Sequence, residues 1–196
     1  MKKLLIGTTN KAKIDEYKQL LSEFDFKIVS FKDLGIPEPE ETAKTFEGNA
    51  LLKAKYYFEK SKIPTLVDDG GFEIDALNGE PGVKSHRWLG RRSSDEELIT
   101  ETIKRMSGKS SRTCRLTLVL AVASNLGIIT SHAEIEGVVA DKPSGNRMKG
   151  FPFRSVMYLP NYNKYYIDLT PEEHEILNHR KHAIEKIKDF FLELSK

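Results

Sequence analysis

Apolar and polar positions along the chain alternate between two periods. Leu4-Leu5-Ile6 has the pattern of a short buried strand and runs straight into Gly7-Thr8-Thr9-Asn10. Ile14, Tyr17, Leu20, Leu21 and Phe24 then recur at helical spacing, so the polar turn caps a helix. Phe26 to Phe31 reads as a second strand, and Pro37 and Pro39 amid Glu38, Glu40 and Glu41 mark a loop. Phe46, Ala50, Leu51, Ala54, Tyr57 and Phe58 predict a second helix from about Thr45 to Lys60. Pro64 to Val67 predicts a strand ending in Asp68-Asp69-Gly70-Gly71, with irregular chain around Gly79, Pro81 and Gly82. Ser94-Asp95-Glu96-Glu97 has the capping-box pattern of a third helix that ends near Gly108. Residues 112–123 and 127–139 predict two long strands joined as a hairpin, followed by a Gly/Pro/Lys loop over 141–152. Thr170-Pro171-Glu172-Glu173 caps a further helix, and Ile184, Ile187, Phe191 and Leu194 stripe the last one.

Helices interleave with strands first and a hairpin comes later, which predicts an α/β fold on a mixed sheet rather than a purely parallel one. No repeat or low-complexity linker divides the chain, so residues 1–196 are expected to form one domain, of one or two lobes. Composition narrows the function classes. The 196 residues are 39% hydrophobic and 31% charged, enough for a sizeable core under a polar surface. Thirty-one Lys and Arg face 29 Asp and Glu, and the formal charge of +2 provides no general field toward nucleic acid or membrane. The single cysteine, Cys114, excludes an internal disulfide or a cysteine-built zinc site and fits a reducing compartment. The N-terminal apolar run is too short for a signal peptide, and Leu118 to Ala123 falls far below the roughly 20 residues that span a bilayer. A cytoplasmic protein is expected.

Several constellations can carry chemistry, each with a plainer alternative. Thr8-Thr9-Asn10-Lys11-Ala12-Lys13, between a strand and a helix, fits either an anion site with Lys13 reaching a phosphate or an ordinary capped turn. Asp68 and Asp69 at a strand's carboxyl end fit an oxygen-ligand site for Mg²⁺ or a solvated acidic turn. Lys53, one turn after Asn49, faces a cleft or snorkels from a helix flank. The segment 141–154 holds four cations plus Phe151 and Phe153, which suits a nucleotide or single-stranded nucleic acid, or else is a mobile basic loop followed by a strand whose aromatics enter the core. His179 and Arg180 fit phosphate or base contacts, or a charged helix junction. Cys114 lies in an apolar strand, where a thiol is inert, and no zinc or serine-nucleophile motif occurs.

Taken in order, four of these motifs resemble the inosine triphosphate pyrophosphatase family, the XTP/dITP pyrophosphatases or Ham1-like proteins. They are Thr8 to Lys13; Glu40-Glu41-Thr42 with Thr45 to Ala54; Asp68 to Leu77 with Gly79 to Ser85; and Leu169 to Glu173 followed by His179-Arg180. The resemblance covers nearly the whole chain. It implies a mixed, twisted sheet flanked by helices, two-lobed with a central cleft, and a homodimer. It also implies Mg²⁺-dependent hydrolysis of a nucleoside triphosphate, such as ITP, dITP or XTP, to the monophosphate and pyrophosphate, with no membrane or nucleic-acid partner. By position, Asp69 is the implied general base and a metal ligand, with Glu41 and Asp68 supporting the metal. Thr8, Thr9, Asn10 and Lys13 would hold the triphosphate tail, with Lys53 and Arg180 adding positive charge. Phe151 would stack on the base and His179 would recognise it.

The chain also departs from the family pattern. Gly70 stands where the family has Ser. Gly150-Phe151-Pro152-Phe153-Arg154-Ser155 stands for Gly-Phe-Gly-Tyr-Asp-Pro, so Arg154 replaces a base-pocket carboxylate. His174 stands for a lysine and Asn178 for a serine. The metal end is intact and the base-reading end is rewritten. Two other readings follow: a divergent member acting on a different nucleotide, or a non-enzymatic nucleotide or nucleic-acid binder.

Overall fold

The computed structural model describes residues 1–196. Its strands are β1 (Lys2–Ile6), β2 (Phe26–Ser30), β3 (Thr65–Ile74), β4 (Thr113–Ser124), β5 (Gly127–Val139), β6 (Met157–Leu159) and β7 (Lys164–Tyr165), in the sheet order β2-β1-β3-β4-β5-β6-β7. Its helices are α1 (Lys11–Leu20), α2 (Phe46–Ser61), α3 (Asp95–Met106), α4 (Pro171–Ile176), α5 (His179–Lys186) and α6 (Lys188–Ser195). β1 pairs in parallel with β2 and β3, whereas β6 pairs antiparallel with β5 and β7, so the sheet is mixed as the element order implies.

The chain separates into two compact units. The first comprises Met1–Asp69, Leu118–Ala133 and Arg180–Lys196. Its strands are covered on both faces, because alternate residues pack into different cores. Leu4, Ile6, Leu118, Leu120 and Val122 meet Tyr17 of α1 and Ile184, Phe191 and Leu194 of the C-terminal helices. Leu5, Val119, Ala121 and Ala123 meet Ala50, Ala54 and Tyr57 of α2. That double coverage is why Leu118 to Ala123 reads as an uninterrupted apolar run. The second unit, Gly70–Thr117 and Glu134–His179, has its own core around Phe72, Ile74, Leu98, Ile99, Ile135, Phe153 and Tyr166. Cys114 of β4 is buried there, and burial pushes its thiol pKa up, which keeps it protonated and inert.

The structure differs from the sequence expectation at three places. β3 does not end at Asp68 but continues to Ile74, because Phe72 and Ile74 resume the alternation and reach the second unit's core. The strand that the alternative reading puts directly after the 141–152 loop comes later: Phe153 lies in a 3₁₀ turn over Pro152–Ser155, and the short β6 and β7 follow it. The last predicted helix is two helices that break at Ile187, so His179 and Arg180 open α5 instead of standing outside the final helix.

Candidate active site

The turn after β1 is built on a close approach. A Cβ on Gly7 would lie 2.5 Å from Val67 Cγ1 and 2.9 Å from Tyr57 Cδ2, so only glycine lets the chain pass between those core side chains. Gly7→Ala is therefore expected to cost about 1–3 kcal/mol, read as a lower denaturation midpoint with the far-UV spectrum retained. Beyond Gly7, Thr8 Oγ1 accepts from the Asn10 N–H at 3.2 Å, and Asn10 Oδ1 accepts from the N–H groups of Ala12 and Lys13 at 3.0 and 3.4 Å. Asn10 is thus the cap of α1, and Thr9 is exposed. The cap pins the start of α1, which in turn sends Lys13 inward.

Lys13 meets the acids of β3. Its Nζ lies 3.0 Å from each carboxylate oxygen of Asp68. Arg180, at the start of α5, places Nε 3.4 Å from Asp68 Oδ2 and donates through a terminal nitrogen to Glu16 Oε2 at 3.2 Å. Lys53 of α2 donates to Glu41 Oε1 at 2.9 Å, to Asp69 Oδ1 at 3.0 Å and to the Asp68 carbonyl at 3.0 Å. Successive strand residues project to opposite faces, which lets Asp68 serve Lys13 and Arg180 while Asp69 serves Lys53. Lys53 is therefore an integral cation of the cluster and not a snorkelling flank.

The ionisation states follow from these contacts. Burial alone would raise the Asp68 pKa, but Lys13, Arg180 and Lys53 outweigh it and hold this carboxyl well below the usual range. Asp69 lies on the other side of the balance: burial raises it, Lys53 only partly offsets that, and Glu41 adds to the rise. Two adjacent carboxylates are thus driven apart, one a fixed anion and the other a stronger base. Burial lowers the Lys13 pKa, with Asp68 opposing.

The acids were expected to gather as one metal-ligand set, Glu41, Asp68 and Asp69. No three such side chains are arranged to hold an ion, and the Asp68 carboxylate faces Lys13 and Arg180. Glu41 and Asp69 do converge, each with an oxygen within 3.0 Å of one point, now held by the Lys53 ammonium. A pair of carboxylates fits Mg²⁺, which commonly takes one or two of them and completes its octahedron with water and substrate phosphate.

The base-reading candidates belong to the second unit. Arg154 is 5% exposed, with its guanidinium 4.2 Å from the Phe151 ring centroid and 5.3 Å from that of Tyr166. Its terminal nitrogen lies 3.3 Å from His174 Nε2. His179 is buried at the start of α5, and Gly70 is half-buried within β3. Phe153 takes the core alternative and stacks on Phe72 at 4.8 Å. The 141–154 loop is tied down: Ser144 and Asn146 donate to Asp168, the Gly150 N–H donates to Asp95, and Arg147 pairs with Glu96. Those ties argue against a mobile basic loop. Glu16 was not foreseen from the sequence, although its i,i+3 spacing from Lys13 puts both on one face of α1.

The model for the Ham1 family matches residues 4–190. The chain is 33% identical over 192 residues to a dITP/XTP pyrophosphatase of Vibrio cholerae, covering 95% of each protein. It is 34% identical over 195 residues to one of Oceanobacillus iheyensis, covering 96% of this chain and 97% of the relative. Among solved structures, a Ham1 protein of Coxiella burnetii superposes with a TM-score of 0.89 at 29% identity, over 98% of this chain and all of that one. A Staphylococcus aureus Ham1 protein gives 0.88 at 28% identity over the full length of both.

Proposed function

The chain belongs to the Ham1 family, and from that premise we propose that it is a Mg²⁺-dependent nucleoside triphosphate pyrophosphatase. Its substrates are aberrant purine triphosphates such as dITP, XTP and ITP, and its products are the monophosphate and pyrophosphate. The observation that carries this reading is the split acid pair, with Asp68 locked between Lys13 and Arg180 and Asp69 raised as a base beside Glu41.

In this reading Asp69 accepts a proton from the water that attacks the α-phosphorus. The bond to the bridging oxygen of the β-phosphate breaks, and pyrophosphate leaves. Lys13, Lys53 and Arg180 face Glu16, Glu41, Asp68 and Asp69, one negative charge in excess. A triphosphate tail carries about four more negative charges, so added positive charge is needed. Glu41 and Asp69 are the residues that would hold Mg²⁺, which supplies charge neutralisation at the phosphates and acidifies water. Asp68 serves as the counter-ion that keeps Lys13 and Arg180 in place. Thr8, Thr9 and Asn10 support the tail at the start of α1, and Gly70, Phe151, Arg154, His174 and His179 are assigned to the nucleoside. The whole chain acts as one functional domain, in a cytoplasmic homodimer.

Pyrophosphate release from a panel of ITP, dITP, XTP and the four ordinary triphosphates, with and without Mg²⁺, tests the reading; no turnover of any of them would sink it. The contact of buried Arg154 with half-buried His174 favours an altered base preference within the same reaction. If Arg154→Asp shifts the kcat/KM ratio between ITP and the other triphosphates by about tenfold or more, Arg154 reads the base; an unchanged ratio assigns it to packing.

A further inference from the structure

Phe151 is delivered by a tight turn, Met148-Lys149-Gly150-Phe151, which closes when the Phe151 N–H donates to the Met148 carbonyl at 3.0 Å. Gly150 has φ +84°, the left-handed value that the third residue of a type II turn needs. The Gly150 N–H takes no part in the turn's own bond and donates instead to Asp95 Oδ2, at 2.7 Å in a half-buried setting. Asp95 opens α3, whose start is fixed by the capping box of Ser94 and Glu97 and whose Leu98 and Ile99 share a core with Phe153. The carboxylate is thus carried by a packed element, and an N–H bonded to a carboxylate is roughly twice as strong as a neutral pair. The neighbouring tie, Arg147 to Glu96, joins side chains that are 37% and 64% exposed and contributes little.

We propose that Asp95 is a positioning residue: through the Gly150 amide it holds the Phe151 ring where a base stacks. This rests on the reading of Phe151 as the stacking residue. Phe151 follows the tied amide directly, so a turn that slips carries the ring with it. The Arg154 guanidinium lies 4.2 Å from the ring centroid, and the Arg154 N–H donates to the Phe151 carbonyl at 3.3 Å. A displaced turn disturbs those contacts as well.

Two probes separate base placement from other effects, since ITP carries a base and inorganic tripolyphosphate does not. Asp95→Ala is expected to raise the KM for ITP about fivefold, part of what a stacked base contributes. Its kcat and the inhibition constant of tripolyphosphate should stay within about twofold of wild type. A merely structural loss lowers the denaturation midpoint and the active fraction, and moves neither constant. Asp95→Asn keeps an oxygen acceptor at the same reach and is expected to return the KM for ITP to within about twofold of wild type. If Asp95→Ala does not fold by circular dichroism, Asp95→Glu carries the test. It keeps an acid at the helix start but overshoots Gly150, so the KM for ITP should rise while tripolyphosphate is unmoved. Phe151→Ala is expected to raise the KM for ITP by about tenfold or more, and the Asp95→Ala/Phe151→Ala double variant should be no worse than Phe151→Ala alone. An unchanged KM for ITP in the folded Asp95 variant, a parallel rise for tripolyphosphate, or additive losses in the double variant overturns the proposal. If Phe151→Ala leaves the KM for ITP unchanged, the stacking role fails and the proposal falls with it. A weakened Phe151→Ala beside a silent Asp95→Ala rejects Asp95 alone.

Discussion

Asp69→Asn is expected to lower kcat for dITP or XTP by about 10²- to 10⁴-fold, the range for removing a general base. The substitution keeps shape and an oxygen for the Lys53 ammonium, which lies 3.0 Å from Asp69 Oδ1, so folding should survive. What is lost is the proton acceptor. Asp69 is suited to that task because burial raises its affinity for a proton, a rise that Lys53 offsets only in part. Pyrophosphate release at saturating substrate and Mg²⁺ checks it, and activity within a factor of about ten of wild type would move the base elsewhere. A second readout, the Mg²⁺ concentration for half-maximal rate, should rise as well, since Asp69 is one of two proposed oxygen donors.

The second large effect is on stability. Asp68→Ala is expected to cost about 3–5 kcal/mol, the range for breaking a buried ion pair by removing one partner. The chemistry of the loss is the reverse of Asp69: here an anion disappears and two cations remain facing each other. Lys13 is 21% exposed and can swing toward water, whereas Arg180, at 4%, cannot. That asymmetry places the cost nearer the lower figure. Chemical denaturation with two independent probes measures it, and a loss below about 1 kcal/mol would mean that the cluster relaxes freely. Replacing Asp68 should also impair triphosphate binding through Lys13 and Arg180, unlike a variant such as Gly7→Ala that acts on packing.

Much of this was legible in the sequence, for identifiable reasons. Thr45 and Ser94 are caps with the expected side-chain bonds to Gly48 and Glu97, because capping needs only local spacing. The parallel start and the later hairpin follow from element order. β3 was read too short because Asp-Asp-Gly-Gly has turn chemistry, whereas Phe72 and Ile74 pull it onward through packing that spacing does not carry. The break at Ile187 is invisible for the opposite reason, since the apolar stripe continues through it. In the site, Lys13, Lys53, Glu41 and Asp69 are found by motif. The partition of the two aspartates is not, because it depends in part on Arg180, which reaches Asp68 from the far end of the chain. Local pattern finds residues one turn apart; it does not find a partner brought in by the far end of the chain.

That separation has a consequence for synthesis. The first unit draws on three stretches, and its last one begins at Arg180. Until residues from Arg180 onward have emerged from the ribosome, β1 and β3 lack the Ala183, Ile184 and Phe191 side chains that complete one of their cores, and Asp68 has Lys13 and Lys53 without the arginine. A chain that stops before Arg180 therefore presents the acids without their arginine and is expected to hydrolyse no nucleotide. Loss of the tail by a late stop codon or proteolysis should silence the enzyme even though every residue of the Asp68-Asp69 motif is still there.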